Sequence, residues 1–248
     1  MSVLILALAA GAVTGLALGA LGGGGSVLAV PALIYLLGFT PSAATSASLV
    51  IVTVTSATAL SAHAREGTVR WRAGALFAAA GLIPAALGGA LSGRLPPAAL
   101  TGAFSVIAGL AAFRMLRPAA SDPAAVPARP GRVTGAGAGL GAVTGVLGVG
   151  GGFLAVPALV NVVGLRMRAA VGTSLLVITA NSLAALLARA GTAQSLDWAV
   201  VAPFAGAAVL GAWDGKRLAA RVSGGTLQRI FACALLGVAV LMLVDVVL

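Results

Sequence analysis

Charge is what this chain has least of. Only 8% of its 248 residues are charged, five of them acidic, and it has one histidine and one cysteine. So few charges cannot solvate the surface of a soluble domain. A hydrophobic content of 60% and a mean hydropathy of +1.12 place the chain outside the soluble range. The lone Cys233 cannot close an internal disulfide and reads as a small lipid- or core-facing residue. Glu66, Asp122, Asp197, Asp214 and Asp245 all fall in loops or near segment ends, so no mid-membrane acidic relay is visible. His63, beside Arg65 at the end of an apolar segment, reads as an interfacial group rather than a proton carrier. There is no phosphate-cradling lysine motif, metal-ligand cluster or nucleophile–base set, which argues against a primary pump or a membrane hydrolase. No enzyme activity, catalytic residue, metal or cofactor is expected. The basic residues, all arginine except Lys216, bring the net charge to +10. They sit singly or in pairs at segment ends rather than along one helix face, as topology determinants do, which argues against nucleic-acid binding.

Long apolar runs take the place of charge. Seven or more stretches approach the roughly 20 residues that cross a bilayer core, and nothing alternates with the period of a barrel strand. The expected class is all-α, a polytopic protein whose partner is the lipid bilayer. The first stretch, Ser2 to Ala20, lacks the basic start of a secretory signal and is expected to stay as a membrane helix. Breakers then give five helical segments per half. They are about 3–21, 26–37, 42–63, 71–92 and 98–116, followed by about 133–148, 152–163, 168–189, 198–213 and 225–247. Pro118, Pro123, Pro127 and Pro130 mark 117–132 as a linker between a first repeat, 1–116, and a second, 133–248.

The two halves repeat one another. Gly22-Gly23-Gly24-Gly25-Ser26, with Val30-Pro31 after it, returns as Gly148-Val149-Gly150-Gly151-Gly152 with Val156-Pro157. A shift of 126 positions matches about 21 of the 46 residues from Gly15 to Leu60. The segment after each break is short: about twelve residues rise roughly 18 Å, well below a core of roughly 30 Å. It is therefore a helix that stops partway or one arm of a re-entrant hairpin. Irregular backbone at that depth survives only where protein or a water-filled cavity surrounds it, which places both breaks in the interior.

Charge distribution sets the expected topology. If each half crosses the membrane an odd number of times, every Lys and Arg except Arg94 and Arg189 falls on one side. With four crossings per half they split almost evenly. The positive-inside rule favours the first arrangement. The halves are then inverted-topology repeats, with both termini outside and the central linker in the cytoplasm. The prevalence of Arg over Lys, with abundant Ala and Gly, points to a GC-rich bacterium and hence to its cytoplasmic membrane.

An inverted pair is expected to bring its two breaks toward a shared centre. Gly22, Gly23, Gly24, Gly25 and Ser26, with Gly150, Gly151 and Gly152, would offer backbone N–H groups and the positive end of the following helix to an anion. Gly81, Gly88, Gly89 and Gly102 read as packing residues instead. The third segment of each half adds polar groups. Ser46, Ser48, Thr173 and Ser174 lie in first turns, and Asn181 is an amide in need of partners. Ser48, Thr55 and Ser56 share a helical face, as do Ser174, Asn181 and Ser182. Such hydroxyls suit a ligand shell, but they also bond carbonyls one turn back in their own helix.

In the second half, the glycine run with Val156-Pro157, followed by Ala170-Val171-Gly172-Thr173-Ser174, resembles the recurrent pattern of the TauE/SafE family of sulfite exporter-like permeases. The first half keeps the glycines and Val30-Pro31 but reads Ala44-Thr45-Ser46-Ala47-Ser48 where Gly-Thr-Ser is expected. Gly67 to Trp71 and, loosely, Gly191 to Trp198 fit a further loop of that family. The resemblance covers nearly the whole chain. It implies movement of sulfite, organosulfonates or related small anions across the cytoplasmic membrane. The expected function is secondary anion transport by alternating access; a passive anion channel and a non-transporting membrane scaffold are the alternatives. Substrate, direction, coupling ion and oligomeric state stay open, a lipid-facing homodimer among the choices. Cysteine labelling tests the topology in a Cys233→Ser background. An impermeant maleimide should modify Arg94→Cys from outside intact cells and spare Arg117→Cys; the reverse pattern overturns the orientation.

Overall fold

The computed structural model describes residues 2–92, 94–116, 130–147, 152–189, 196–219 and 221–247. Among these it is helix and turn with no strand. The first half contains α1 (Ser2–Leu21), α2 (Gly24–Pro31), α3 (Pro41–Arg65), α4 (Trp71–Ser92) and α5 (Pro97–Leu116). The second contains α6 (Pro130–Leu147), α7 (Gly152–Asn161), α8 (Met167–Ala188), α9 (Trp198–Ala219) and α10 (Gly224–Val247). A π-helical turn, Ala32–Leu36, prolongs α2 after Pro31, whose missing N–H already interrupts the regular ladder.

The expected segments are present, with two boundaries shifted by more than two residues; Gly24 and Gly25, expected in the break, already belong to α2. Pro130 opens α6 instead of belonging to the linker, since a proline is tolerated where the first N–H has no partner anyway. α9 continues to Ala219, six residues past the expected end at 213. Asp214, Lys216 and Arg217 end an apolar run but not a helix, and cations suit the negative end of its dipole. Among the described residues five helices are long and apolar enough to cross a membrane: Val3–Leu21, Pro41–Arg65, Trp71–Leu91, Met167–Ala188 and Trp198–Leu218. α5, α6 and α10 carry shorter apolar stretches. Leu76, Ile83 and Leu87 turn outward from α4, as lipid-facing side chains would.

Lipid gives helices no hydrophobic reason to associate, so close backbone packing has to do it. Gly11, Gly15 and Gly19 are spaced by four and share one face of α1. They lie against the carbonyls of Phe204, Ala208 and Ala212 of α9, in that order, so the two helices run parallel. The second half repeats the seam. Gly137, Gly141 and Gly145 of α6 lie against the carbonyls of Phe77, Gly81 and Ala85 of α4. These glycines are the 126-residue equivalents of the first set. Each seam joins one half to the other, so the repeats interlock.

At the centre, α3 crosses its own equivalent, α8. Ser56 Oγ meets Thr179 Oγ1 at 2.8 Å near the crossing, and Thr45, in the first turns of α3, meets Arg189, which ends α8. The pair is therefore antiparallel. Around it α5 packs on α10 and α2 on α7, and exchanging the two halves maps each of these pairs onto itself. A leucine in a seam should break this arrangement. Gly15→Leu or Gly141→Leu, overpacked against backbone, should cost about 1–3 kcal/mol or prevent folding. Gly109→Ala, whose new methyl would meet Ala239 at an ordinary 3.8 Å, should be neutral. Thermal unfolding in detergent measures both, and an unchanged melting temperature in Gly15→Leu refutes the seam.

Candidate functional site

The first break is built by α1, α2 and α8 together. α1 closes on Gly22, whose N–H donates to the Leu18 carbonyl at 2.8 Å and whose φ is +68°. The chain then doubles back, and Gly25 of α2 lies against the carbonyl of Thr14 and the side chain of Leu18. Gly22 faces the first turns of α8. A Cβ there would sit 2.7 Å from Val171 Cγ1 and 2.9 Å from Ser174 Oγ. Left-handed backbone and lack of room both require glycine at this point. Ser174 Oγ donates a shared hydrogen bond to the carbonyls of Gly22, at 2.6 Å, and Val171, at 2.7 Å. The break is thus tied to the opposite half by a buried hydroxyl.

The other expected site residues are not gathered there. Gly23 precedes α2 and is buried, and Gly24 and Ser26 form its first turn. Gly150 and Gly151 lie outside the described residues, and Gly152 opens α7. Ser48, the equivalent of Ser174, is fully buried, and its hydroxyl has no partner among the described residues. Ser46 is half-buried beside it. From the register of Thr45 with Arg189 and of Ser56 with Thr179, Ser48 and Ser174 lie about 18 Å apart along the crossed pair. Antiparallel crossing puts equivalent residues at opposite ends. The described residues around Ser174 and those around Ser48 therefore form two half-sites, at opposite ends of the crossed pair. Asn181 belongs to neither. It is fully buried with its amide against Gly81, where α4, α6 and α8 meet, and that amide has no partner among the described residues.

Beside the first half-site lies a cavity of about 700 Å³. Gly19, Ala20, His63 and Val171 are among its walls, and Val171 is also the residue that touches Gly22. Its charged lining is Arg65, Arg168, Lys216 and Arg217 against Glu66. Lys216 Nζ pairs with Glu66 at 2.6 Å and donates to the Ala62 carbonyl at 3.1 Å, so the surplus charge is positive. His63, in the last turn of α3, is only 7% exposed. The helix packs it inward because α8 and α9 cover the end of α3.

At the other half-site the equivalent positions are shut. Arg189, the counterpart of His63, is 4% exposed. Its guanidinium donates to Thr45 Oγ1 at 2.9 Å and to the carbonyls of Gly145 and Val146 at 2.8 and 3.4 Å. Thr45, Gly145 and Val146 are the counterparts of Val171, Gly19 and Ala20. A small pocket that touches Thr45 among the described residues holds about 10 Å³, barely that of one water. Sequence reasoning treated Arg189 only as a topology marker. The signal that would have found it was its spacing from His63, 126 positions.

The family model for sulfite exporter TauE/SafE matches residues 7–242. The chain belongs to the TauE/SafE family. Two proteins of Xylella fastidiosa, from strains Temecula1 and 9a5c, each named a probable membrane transporter protein, are 35% and 36% identical to it over 245 residues. These alignments cover 96% of this chain and 94% of each relative. No solved structure matches the chain. It is a multi-pass membrane transporter.

The TauE/SafE motif Gly172-Thr173-Ser174 has a packing explanation in this chain. Gly172 leaves room for Thr68, whose Oγ1 would lie 2.8 Å from a Cβ there. Thr173 Oγ1 accepts the N–H of Arg70 at 3.0 Å, and Ser174 holds Gly22. Three consecutive residues thus dock the loop before α4 and the break onto one turn of α8. The hydroxyls of Thr173 and Ser174 are engaged by the protein itself. Ser174→Ala should therefore cost about 1 kcal/mol of stability, the usual worth of such a bond between membrane helices. Thermal unfolding in detergent would show it, and a variant as stable as the parent would mean that Ser174 does not hold the break.

Proposed function

We propose that this protein is a secondary transporter of small oxyanions, of the sulfite or organosulfonate type, in a bacterial cytoplasmic membrane. Its two halves would be inverted, with both termini outside and the linker inside, and would alternate access to the anion. One comparison carries this. Gly19, Ala20, His63 and Val171 border an open cavity, while their equivalents Gly145, Val146, Arg189 and Thr45 are drawn together by one guanidinium. If the halves exchange conformations, the second set opens as the first closes, which is how inverted repeats alternate access around a fixed fold. The cations at the open end would concentrate anions. Behind Val171, the start of α2 would present N–H groups and a positive dipole end. The family's description as sulfite exporters supports an oxyanion. No catalytic step is assigned.

Flux into proteoliposomes and labelling of a cavity residue test this together. Sulfite flux should saturate, carry no channel-like conductance, and be lost in Gly22→Val protein that still inserts. In a Cys233→Ser background, maleimide labelling of Ser61→Cys, at the cavity wall, should slow several-fold under saturating sulfite. Unsaturable conductance with unchanged labelling would make the protein a channel and sink the proposal.

A further inference from the structure

His63 is the only histidine in the chain, and its surroundings define its proton. Thr68 Oγ1 donates to the carbonyl of His63 itself at 3.0 Å. That hydroxyl has one proton, so towards the ring, 3.1 Å away, it can only accept. Nδ1 therefore carries the hydrogen of the neutral imidazole, a tautomer assigned from the hydrogen bonds. Nε2 is left as the basic nitrogen. It is buried in the wall of the large cavity and meets no partner among the described residues.

The charged groups that share this cavity are Arg65 and Glu66 at the end of α3, Arg168 on α8, and Lys216 and Arg217 on α9. Their surplus is positive once Lys216 and Glu66 are paired. A proton on Nε2 adds to that surplus, and an oxyanion in the cavity offsets it. Protonation and anion binding therefore favour one another, by the same factor in each direction. At the equivalent position in the other half, Arg189 is permanently charged and bonded to carbonyls, so it cannot take part in such an exchange.

We propose that His63 couples the anion to a proton. Water in the cavity delivers a proton to Nε2, an N–H bond forms, and the imidazolium donates that hydrogen bond to an oxygen of the oxyanion. When the anion leaves, the N–H bond breaks and the proton returns to water. One anion and one proton are thus bound and released together. This rests on the cavity being the anion's path, as proposed above.

The test uses the full chain in proteoliposomes with thiosulfate and sulfoacetate, which stay ionised at neutral pH, and a trapped pH-sensitive dye. Wild-type protein should move about one proton with each anion, and anion binding should strengthen as pH falls. His63→Gln should lose the proton movement and the pH dependence. His63→Arg, which copies position 189, should bind anion at every pH and carry no proton. Saturable anion flux without protons in the wild type would overturn the coupling and leave the transporter intact. So would proton movement that survives in His63→Gln or His63→Arg. Wild-type protein that moves neither probe would remove both proposals.

Discussion

The contact on which the molecule depends is backbone against backbone. Along α1 and α6 the glycines at every fourth position let carbonyls of α9 and α4 reach the helix surface. At that range weak Cα–H···O contacts and dense van der Waals packing add up over the length of a helix. In lipid no other large driving force is at hand. The two seams also determine the architecture, because each ties one half to the other. With α1 bound to α9 and α6 to α4, the two third helices, α3 and α8, are left to cross at the centre.

The interior is polar but almost without charge, and its hydroxyls follow a common rule. Thr53, Thr55, Ser105, Thr144 and Thr179 each donate to a carbonyl one turn back in their own helix. That satisfies them where water is absent but makes them poor ligands. The hydroxyls that act between elements are fewer: Ser174 on the break, Thr173 on the loop before α4, Thr45 on Arg189, and Ser56 with Thr179 where α3 crosses α8. Each links the two halves. Arg189 follows the same logic with a charge, since the carbonyls ending α6 are the negative end of a helix dipole.

Exchange of the halves preserves the helix pairings and breaks the chemistry. His63 against Arg189, Thr55 against Asn181, and Ser46 against Gly172 are equivalent places with different side chains. In a perfectly symmetric protein the two asymmetric states, open at one end or at the other, would have equal energy. Here the permanent cation holds carbonyls across one half-site, and the titratable ring leaves the other accessible. The difference between the repeats carries as much of the functional proposal as their likeness does.

Much of this was legible in one dimension. Apolar runs, glycine breaks and proline turns locate the helices, because in lipid every backbone group must be satisfied within its segment and local pattern then decides the element. The burial of the first break followed from the same rule. Where the patterns are chemical rather than apolar, the sequence was less informative. α9 outran its apolar run because Lys216 and Arg217 border a cavity that a linear reading does not contain. The four-residue glycine spacing was present to be read, but its partner carbonyls lie 193 residues away in the chain for α1 and 60 for α6. Only the tertiary structure decided that equivalent helices cross antiparallel. That crossing separates Ser48 from Ser174 and buries His63 and Arg189 at opposite ends. A one-dimensional repeat specifies which residues are equivalent; the axis relating them exists only once the helices pack.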